Sequence, residues 1–560
     1  MNTTPETIGY VIGGSLKEGL FARLTVPSDQ VQEGAFVVVE HNNVNYYGLV
    51  VDIRLTASDP QFAQEMNENR LPQAMAGILN QHTLFTELEI MPVLMQNIGS
   101  GETLTDEQES KPVNTHPLPV KMLPPHHSFV RQATSFDVKE VFNTREEDAF
   151  VIGSTREQGH PIHLDLAKLT KRSSGIFGAT GTGKSYLTRM ILAGIINNNK
   201  SAVLLFDMHD EYAFGDTSSD TGKSVPGLKN KFGQRVKVCA LGSSTTIQGN
   251  QPDFNLVFEY SDITTADIEM LMRELNLRET TPTTLAALEN SFKQNWFETF
   301  KNMNEFGDDD ERSVAYWAKN TGVNQMAAEG LHQKLKKLFQ KDYLVSRTAK
   351  NPVNEIIDAL KNKRSVILSF AKYETDLDYL MVTNLLTRKI RQEWEQMTTN
   401  YNRNKSNPGS KDAVEPVPLV IALEEAHKLL NREMADQTAF SIIAREMRKY
   451  YVTLLIIDQR PSKIYDEVMS QLGTRICGWL GDENDISAVL SGLSGRDSLR
   501  GMLARLQPTE EVLMVGFGVP MPIPIRSRRY DEKFWKELLK QNSLTEVEKR
   551  KSNDILFRLD

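Results

Sequence analysis

The run Gly178-Ala179-Thr180-Gly181-Thr182-Gly183-Lys184-Ser185 restricts the folds open to this chain more than any other stretch. Two glycines bracket four residues and Lys-Ser closes the run, the spacing of a loop that cradles phosphate. An apolar segment, SSGIFGA (173–179), leads into it and YLTRMILAGII leads away. The loop must therefore join a buried strand to a helix. Glycine lets the backbone approach an anion closely, so that successive amide N–H groups and the helix N-terminus face it. Lys184 is expected to reach the β- and γ-phosphates of ATP, and Ser185 to place its hydroxyl on Mg²⁺. The expected nucleotide-contacting set is Gly178, Ala179, Thr180, Gly181, Thr182, Gly183, Lys184, Ser185 and Tyr186.

Hydrolysis also needs an acid in the metal shell and a base that orients water. PLVIALEEAHKLL supplies both as an apolar strand ending in Glu424 and Glu425. Glu424 is expected beside the metal, and Glu425 is expected to polarise the attacking water. His427 either reports the nucleotide state or caps the strand end. A second apolar strand, VTLLIID (452–458), ends in Asp458-Gln459-Arg460. It delivers polar groups to the carboxyl edge where ligands bind in such sheets, with Gln459 on the γ-phosphate or the water. Ala444-Arg445-Glu446-Met447-Arg448-Lys449 puts three cations on one helix. They form either a solvated face or a finger, Arg445 or Arg448, reaching the next subunit's nucleotide.

The organisation along the chain agrees with an α/β fold carrying extra parts. IGYVIGG, LFARLTV, GAFVVVEH, NVNYYGLVVDI and LEIMPVLMQ are short β-rich runs with turn residues between them, which predicts a small β-barrel over 1–130. Five prolines in 111–127 predict an extended connector. From about 150 onward, continuous apolar runs alternate with helix-forming stretches, as in a mainly parallel sheet covered on both faces. The runs are SAVLLFD, RVKVCAL, SVILSFA, PLVIALE, VTLLIID, TRICGWL and EVLMVGF. The core is expected in two parts, 131–261 and 351–530, with a helical insertion at 262–350. Residues 397–415 read as a polar loop. A C-terminal helical tail, 531–560, ends in an apolar DILFRLD that packs on its own domain or braces a neighbouring subunit.

Charge and cysteine content exclude some functions. Residues 1–130 carry 6 Lys+Arg against 15 Asp+Glu, and the remainder is balanced. An acidic first domain repels phosphate, so it is read as a protein-docking or simply solvated surface. Cys239 and Cys477 sit in apolar runs and read as small buried hydrophobes of a reducing compartment. No apolar run reaches the length of a membrane span and the N-terminus has no signal-peptide pattern, so a cytoplasmic protein with no membrane partner is expected.

Taken in order, these motifs resemble the HerA family of hexameric DNA-translocating ATPases, relatives of the FtsK motors in the RecA-like class. Gly9-Tyr10-Val11-Ile12-Gly13 resembles the start of the family's HAS-barrel. Phe150-Val151-Ile152-Gly153 and His163-Leu164-Asp165-Leu166 resemble the lead into the ATP site. Asp207-Met208-His209-Asp210-Glu211-Tyr212 is similar to the family's Asp-Pro-His-Gly-Glu-Tyr, and Asp253-Phe254-Asn255-Leu256 to the boundary before the insertion. Glu424 stands where the family has aspartate, Met447 where it has glycine and Asp458 where it has serine. Asp458 is thereby expected to add negative charge near the γ-phosphate.

The resemblance implies a RecA-like P-loop NTPase core with helicase-type ATPase activity, using ATP and Mg²⁺. It implies a homo-hexamer around double-stranded DNA, with Lys223, Lys229 and Lys231 as channel candidates. It also implies an effector partner, such as a NurA-type nuclease in DNA-end processing or a sirtuin-type or other enzyme in anti-phage defence. A nucleotide-gated scaffold that switches an effector without sustained translocation is the other reading open at this point.

Overall fold

A computed structural model of the chain describes residues 6–57, 84–98, 116–217, 224–305, 310–406, 413–434 and 439–540. They divide into two compact units. The first comprises residues up to Leu169 with Phe177–Lys184 and Gly473–Arg529, and the second the rest.

Seven strands open the chain: β1 (Thr7–Ser15), β2 (Gly19–Leu24), β3 (Phe36–His41), β4 (Val44–Ala57), β5 (Leu84–Asn97), β6 (Leu118–Pro119) and β7 (Phe129–Gln132). Their order is β2-β1-β7-β3-β4-β5, and β2 also pairs with β5, so six strands close on themselves and β6 adds to β5 from outside. Closure pairs each of these six strands on both sides. The alternating Val, Leu and Ile residues point inward: Val11, Leu20, Val37, Val39, Val50, Leu88, Ile90 and Val130 form one buried core. β7 lies between β1 and β3, antiparallel to both. The barrel sheet thus runs to Gln132, past the expected boundary at residue 130.

Nine strands follow in chain order: β8 (Ala149–Thr155), β9 (Pro161–Asp165), β10 (Ser174–Phe177), β11 (Ala202–Asp207), β12 (Asp216–Thr217), β13 (Ser224–Val225), β14 (Val236–Leu241), β15 (Phe254–Leu256) and β16 (Phe258–Glu259). The last seven are β17 (Leu344–Val345), β18 (Ser365–Ser369), β19 (Leu419–Glu424), β20 (Val452–Asp458), β21 (Thr474–Cys477), β22 (Glu511–Gly516) and β23 (Ile523–Ser527).

In the first unit β21, β22, β23, β8 and β9 pair antiparallel in that order. This piece is fastened to the barrel by charge. Arg156 Nε donates to Glu511 Oε1 at 2.9 Å, and Arg156 Nη1 to the Glu33 carbonyl at 2.9 Å. Arg505 Nε donates to Glu33 Oε2 at 2.7 Å. Burial pushes the Glu511 carboxyl up, but the Arg156 bond and the Gln507 N–H outweigh it and hold it below the usual carboxylate range.

The second unit is built on the order β15-β14-β18-β11-β19-β20-β10. The pairs β14–β15, β14–β18, β11–β18, β11–β19 and β19–β20 are parallel. Every residue of β11, β19 and β20 is buried, which explains why these segments read as unbroken apolar runs. Cys239 and Cys477 are both buried and free.

The insertion is helical as expected, with helices at Thr281–Phe292, Trp296–Lys301, Val314–Thr321 and Gln325–Phe339. Leu285, Leu288, Trp296, Phe297, Phe300, Leu335 and Leu338 fill its core. Arg388 joins it to the next long helix through Asp267, with Nη2 at 2.8 Å from the carboxylate.

That long helix, Asp376–Lys405, overturns the loop expected from residue 397. Ile390, Trp394 and Thr398 bury one face at helical spacing, so packing carries the helix through a polar stretch. Residues 413–415 are irregular as expected, and residues 407–412 of the expected loop lie outside the described residues. So do 541–560 with the terminal Ile-Leu-Phe-Leu cluster. The preceding tail packs within its own unit: the Trp535 ring meets Phe232 at 5.5 Å, and Asn197 Nδ2 donates to the Leu538 carbonyl at 3.0 Å. Among the described residues, no helix is long and apolar enough to cross a membrane.

Candidate nucleotide site

The phosphate loop leaves β10 and turns sharply. Gly178 admits no side chain, since a Cβ there would lie 2.7 Å from Thr182 Oγ1. Gly181 and Gly183 sit at φ 78° and 80°, where glycine alone is at ease. Thr182 locks the turn by donating from Oγ1 to the Ala179 carbonyl at 2.7 Å. The Ala179 N–H is held by the Trp479 carbonyl at 3.0 Å. Lys184 is the first residue of the helix Lys184–Asn198, followed by Ser185. Thr180 and Gly181 are exposed, while Lys184 and Ser185 are half-buried. Tyr186 packs sideways: its ring lies 6.3 Å from that of Tyr530, and the Arg189 guanidinium lies 5.7 Å from it.

In the second unit, register brings acidic residues to one edge. β11 ends at Asp207, β19 at Glu424 and β20 at Asp458, and Glu424 is level with Ile457 of β20. β10, whose chain runs on into the phosphate loop, is the neighbour of β20. Asp207 is fully buried and accepts from the Glu211 and Tyr212 N–H groups, both at 3.0 Å. Glu424 accepts from the Met208 N–H at 3.2 Å and from the Tyr212 hydroxyl at 3.3 Å. Burial and then the Glu424 charge push the Asp207 carboxyl well above the usual range. Burial also raises the Tyr212 and Tyr379 phenols, so both stay protonated donors, and the Tyr379 hydroxyl donates a hydrogen bond to the Glu424 carbonyl at 2.7 Å.

Glu425 sits at φ 48°, ψ 45°, the left-handed region where a non-glycine residue is strained. Gln459 Nε2 donates to its Oε1 at 2.7 Å. Gln459 and Glu425 are thus brought together. Asp458, expected to add negative charge near the γ-phosphate, is fully buried, and its oxygens are taken up by donors inside the protein. It accepts from the His427 N–H at 2.7 Å, the Arg460 N–H at 2.7 Å and His427 Nδ1 at 3.0 Å. The bond to Asp458 raises the His427 pKa against the opposing effect of burial.

Arg445 and Arg448 stand apart from this cluster, exposed on a helix end and the turn after it. Arg445 pairs with Glu467 at 3.1 Å. Lys229 is not a free channel cation, because Asp253 holds its ammonium at 2.7 Å. Lys231 Nζ lies 5.7 Å from the centroid of the Trp535 ring, and Lys223 lies outside the described residues.

The site residues not singled out for chemistry in the sequence were Asp207, Tyr212 and Tyr379. The first two had a signal in the run Asp207–Tyr212 that follows a buried strand. Tyr379 had none. The oxygens gathered here suit Mg²⁺, which takes one or two carboxylates and leaves its other positions to water and phosphate. Among the described residues, no group of three or more His, Cys, Asp or Glu side chains is placed to hold a metal ion.

A strand, a phosphate loop and a helix, with carboxylates closing neighbouring parallel strands, define a P-loop ATPase with a RecA-like core. Residues 150–390 match the family model described as the central domain of the helicase HerA, and residues 8–74 match that of the HAS barrel domain. The chain resembles the HerA helicases in these two regions, and its enzyme type is a helicase-type ATPase. It is 24% identical over 532 residues to the DNA double-strand break repair helicase HerA of Saccharolobus solfataricus, covering 94% of this chain and 93% of that protein. The protein of the same description from Pyrococcus furiosus is 23% identical over 407 residues, 66% of this chain and 68% of its own.

Among solved structures, VirB4 of Thermoanaerobacter pseudethanolicus superposes with a TM-score of 0.41 at 16% identity, over 68% of this chain and 96% of its own. The plasmid coupling protein TrwB in complex with ADP and Mg²⁺ gives 0.43 at 11%, over 71% and 93%.

Proposed function

We propose that the chain is one subunit of a homo-hexameric motor that hydrolyses ATP with Mg²⁺ and moves double-stranded DNA toward an effector enzyme. The observation that carries the reading is Glu425, a carboxylate kept in a strained backbone conformation and anchored by Gln459 at the end of a buried strand. Strain of this kind is enriched at active sites, where the surrounding structure holds a side chain on its target. Lys184 and the loop amides bind the β- and γ-phosphates, and Ser185 and Glu424 hold the metal. Mg²⁺ supplies charge neutralisation on the phosphates when bound. Glu425 takes the proton of the water that attacks the γ-phosphorus, as the bond to the bridging oxygen breaks and ADP leaves. Arg445 or Arg448 acts on the neighbouring subunit's nucleotide.

Support for the motor reading comes from the helicase relatives that span nearly the whole chain. The acidic barrel is the proposed docking face for the effector, a nuclease or a defence enzyme. The test measures steady-state ATPase with and without duplex DNA on protein whose mass is read by mass photometry. A hexamer stimulated several-fold by DNA is expected. A monomer with full ATPase overturns the ring, and a ring indifferent to DNA that still activates its partner favours the nucleotide-gated scaffold.

A further inference from the structure

Asp458 closes β20 at a point where a carboxylate could have faced solvent, yet none of it is exposed. Three donors converge on it: two main-chain N–H groups, of His427 and Arg460, and the His427 ring. His427 Nδ1 lies 3.0 and 3.2 Å from its two oxygens, so this nitrogen must carry the proton. The imidazole is thereby fixed in tautomer and in plane. Its Nδ1 is also 3.5 Å from Glu425 Oε2, a charge contact when the ring is protonated and not a second hydrogen bond, while the other Glu425 oxygen takes the Gln459 amide. Both oxygens of the carboxylate are therefore approached by groups anchored to β20, one directly and one through the ring.

The backbone alone would not hold Glu425 there. Its left-handed conformation lies outside the wells that a glutamate populates cheaply. We infer that Asp458 and His427 form a positioning pair for Glu425: Asp458 fixes the imidazole, and the imidazole with Gln459 fixes the carboxylate. The inference rests on Glu425 being the catalytic base and assigns neither Asp458 nor His427 any contact with substrate. A reacting group held within a few tenths of an ångström by its supporting side chains loses rate, not binding, when a support is removed.

The test is a cycle of variants in the full-length chain, read by steady-state ATPase and by binding of a fluorescent ATP analogue. Asp458→Asn keeps the side-chain size and one acceptor for the main-chain N–H groups. It is expected to lower kcat roughly 10- to 100-fold, the usual worth of a residue that orients another. KM for ATP should stay within about twofold, since no phosphate contact is lost. In a Glu425→Gln background the same substitution should change the residual rate less than about twofold, because the group it positions is already gone.

Equal loss in both backgrounds overturns the inference, as does wild-type turnover in Asp458→Asn. If Asp458→Asn does not fold, His427→Gln carries the same test, since the main-chain bond from residue 427 to Asp458 survives it. Full turnover in Glu425→Gln alone refutes the base assignment itself, a result distinct from failure of the coupling.

Discussion

The Gln459 carboxamide meets the Glu425 carboxylate at 2.7 Å, joining the end of β20 to the residue just past β19. Glu425 and its neighbour Glu424 therefore have different surroundings. Glu424 is sealed among the Met208 N–H and the Tyr212 hydroxyl, whereas Glu425 is pinned by a side-chain amide. Glu425→Gln is expected to bind ATP normally and lose about 10²- to 10⁴-fold in turnover, the worth of a positioned general base. Glu424→Gln is expected instead to raise the Mg²⁺ concentration needed for half-maximal rate. Steady-state ATPase over a Mg²⁺ titration separates the two, and interchanged phenotypes would mean interchanged roles.

Lys184→Ala removes the cation that opens the helix after the phosphate loop. Nucleotide binding or hydrolysis should fall at least tenfold, since a point charge on the β- and γ-phosphates is lost. ATPase within twofold of wild type in the purified variant would show that nucleotide is held elsewhere.

The pair Arg156–Glu511 is nearly sequestered, with side chains 12% and 9% exposed. Removing one member leaves the other charge buried, at a cost of about 3–5 kcal/mol. Arg156→Ala should lower the midpoint of chemical unfolding of the first unit. Arg156→Met with Glu511→Gln should recover part of that loss. No change on the single substitution would mean that water replaces the guanidinium.

His427 gives a pH dependence with a definite sign. It is faced by Asp458 from β20 and by Glu425 and Lys428 on its own segment, and the bond to Asp458 dominates in raising its pKa. A raised folded value means that the protonated ring stabilises the native state. That stabilisation is complete below the unfolded pKa of about 6.5 and is lost as pH climbs through the higher folded value. The Tm gap between wild type and His427→Gln should be widest near pH 6 and narrow toward pH 9. A gap that widens with pH would assign the ring a neutral structural role.

What could be read in the sequence was set by neighbours along the chain. The phosphate loop is legible because its glycines, its lysine and its flanking strand and helix are contiguous. β11, β19 and β20 are legible because burial on both faces leaves their interiors almost wholly apolar. The Asp458–His427 bond is not legible, since it depends on the register of two strands whose sequences lie about thirty residues apart. β7 was hidden for a similar reason: four residues behind a proline-rich stretch become a barrel strand only through partners more than eighty residues away. The helix to Lys405 did leave a trace, since Ile390, Trp394 and Thr398 repeat every four residues, but the polar composition around them masked it.

If Glu425 is the base proposed above, its conformation sets stability against turnover at a single position. A glycine would occupy φ 48° without the penalty of about 1–2 kcal/mol that an L-residue meets there. Screening this protein for heat resistance alone would therefore favour Glu425→Gly, and the hardier variant so obtained would hold ATP without consuming it. Thermostability selections on such a chain need an activity gate, because on the proposed role of Glu425 the substitution that relieves this turn also removes the base.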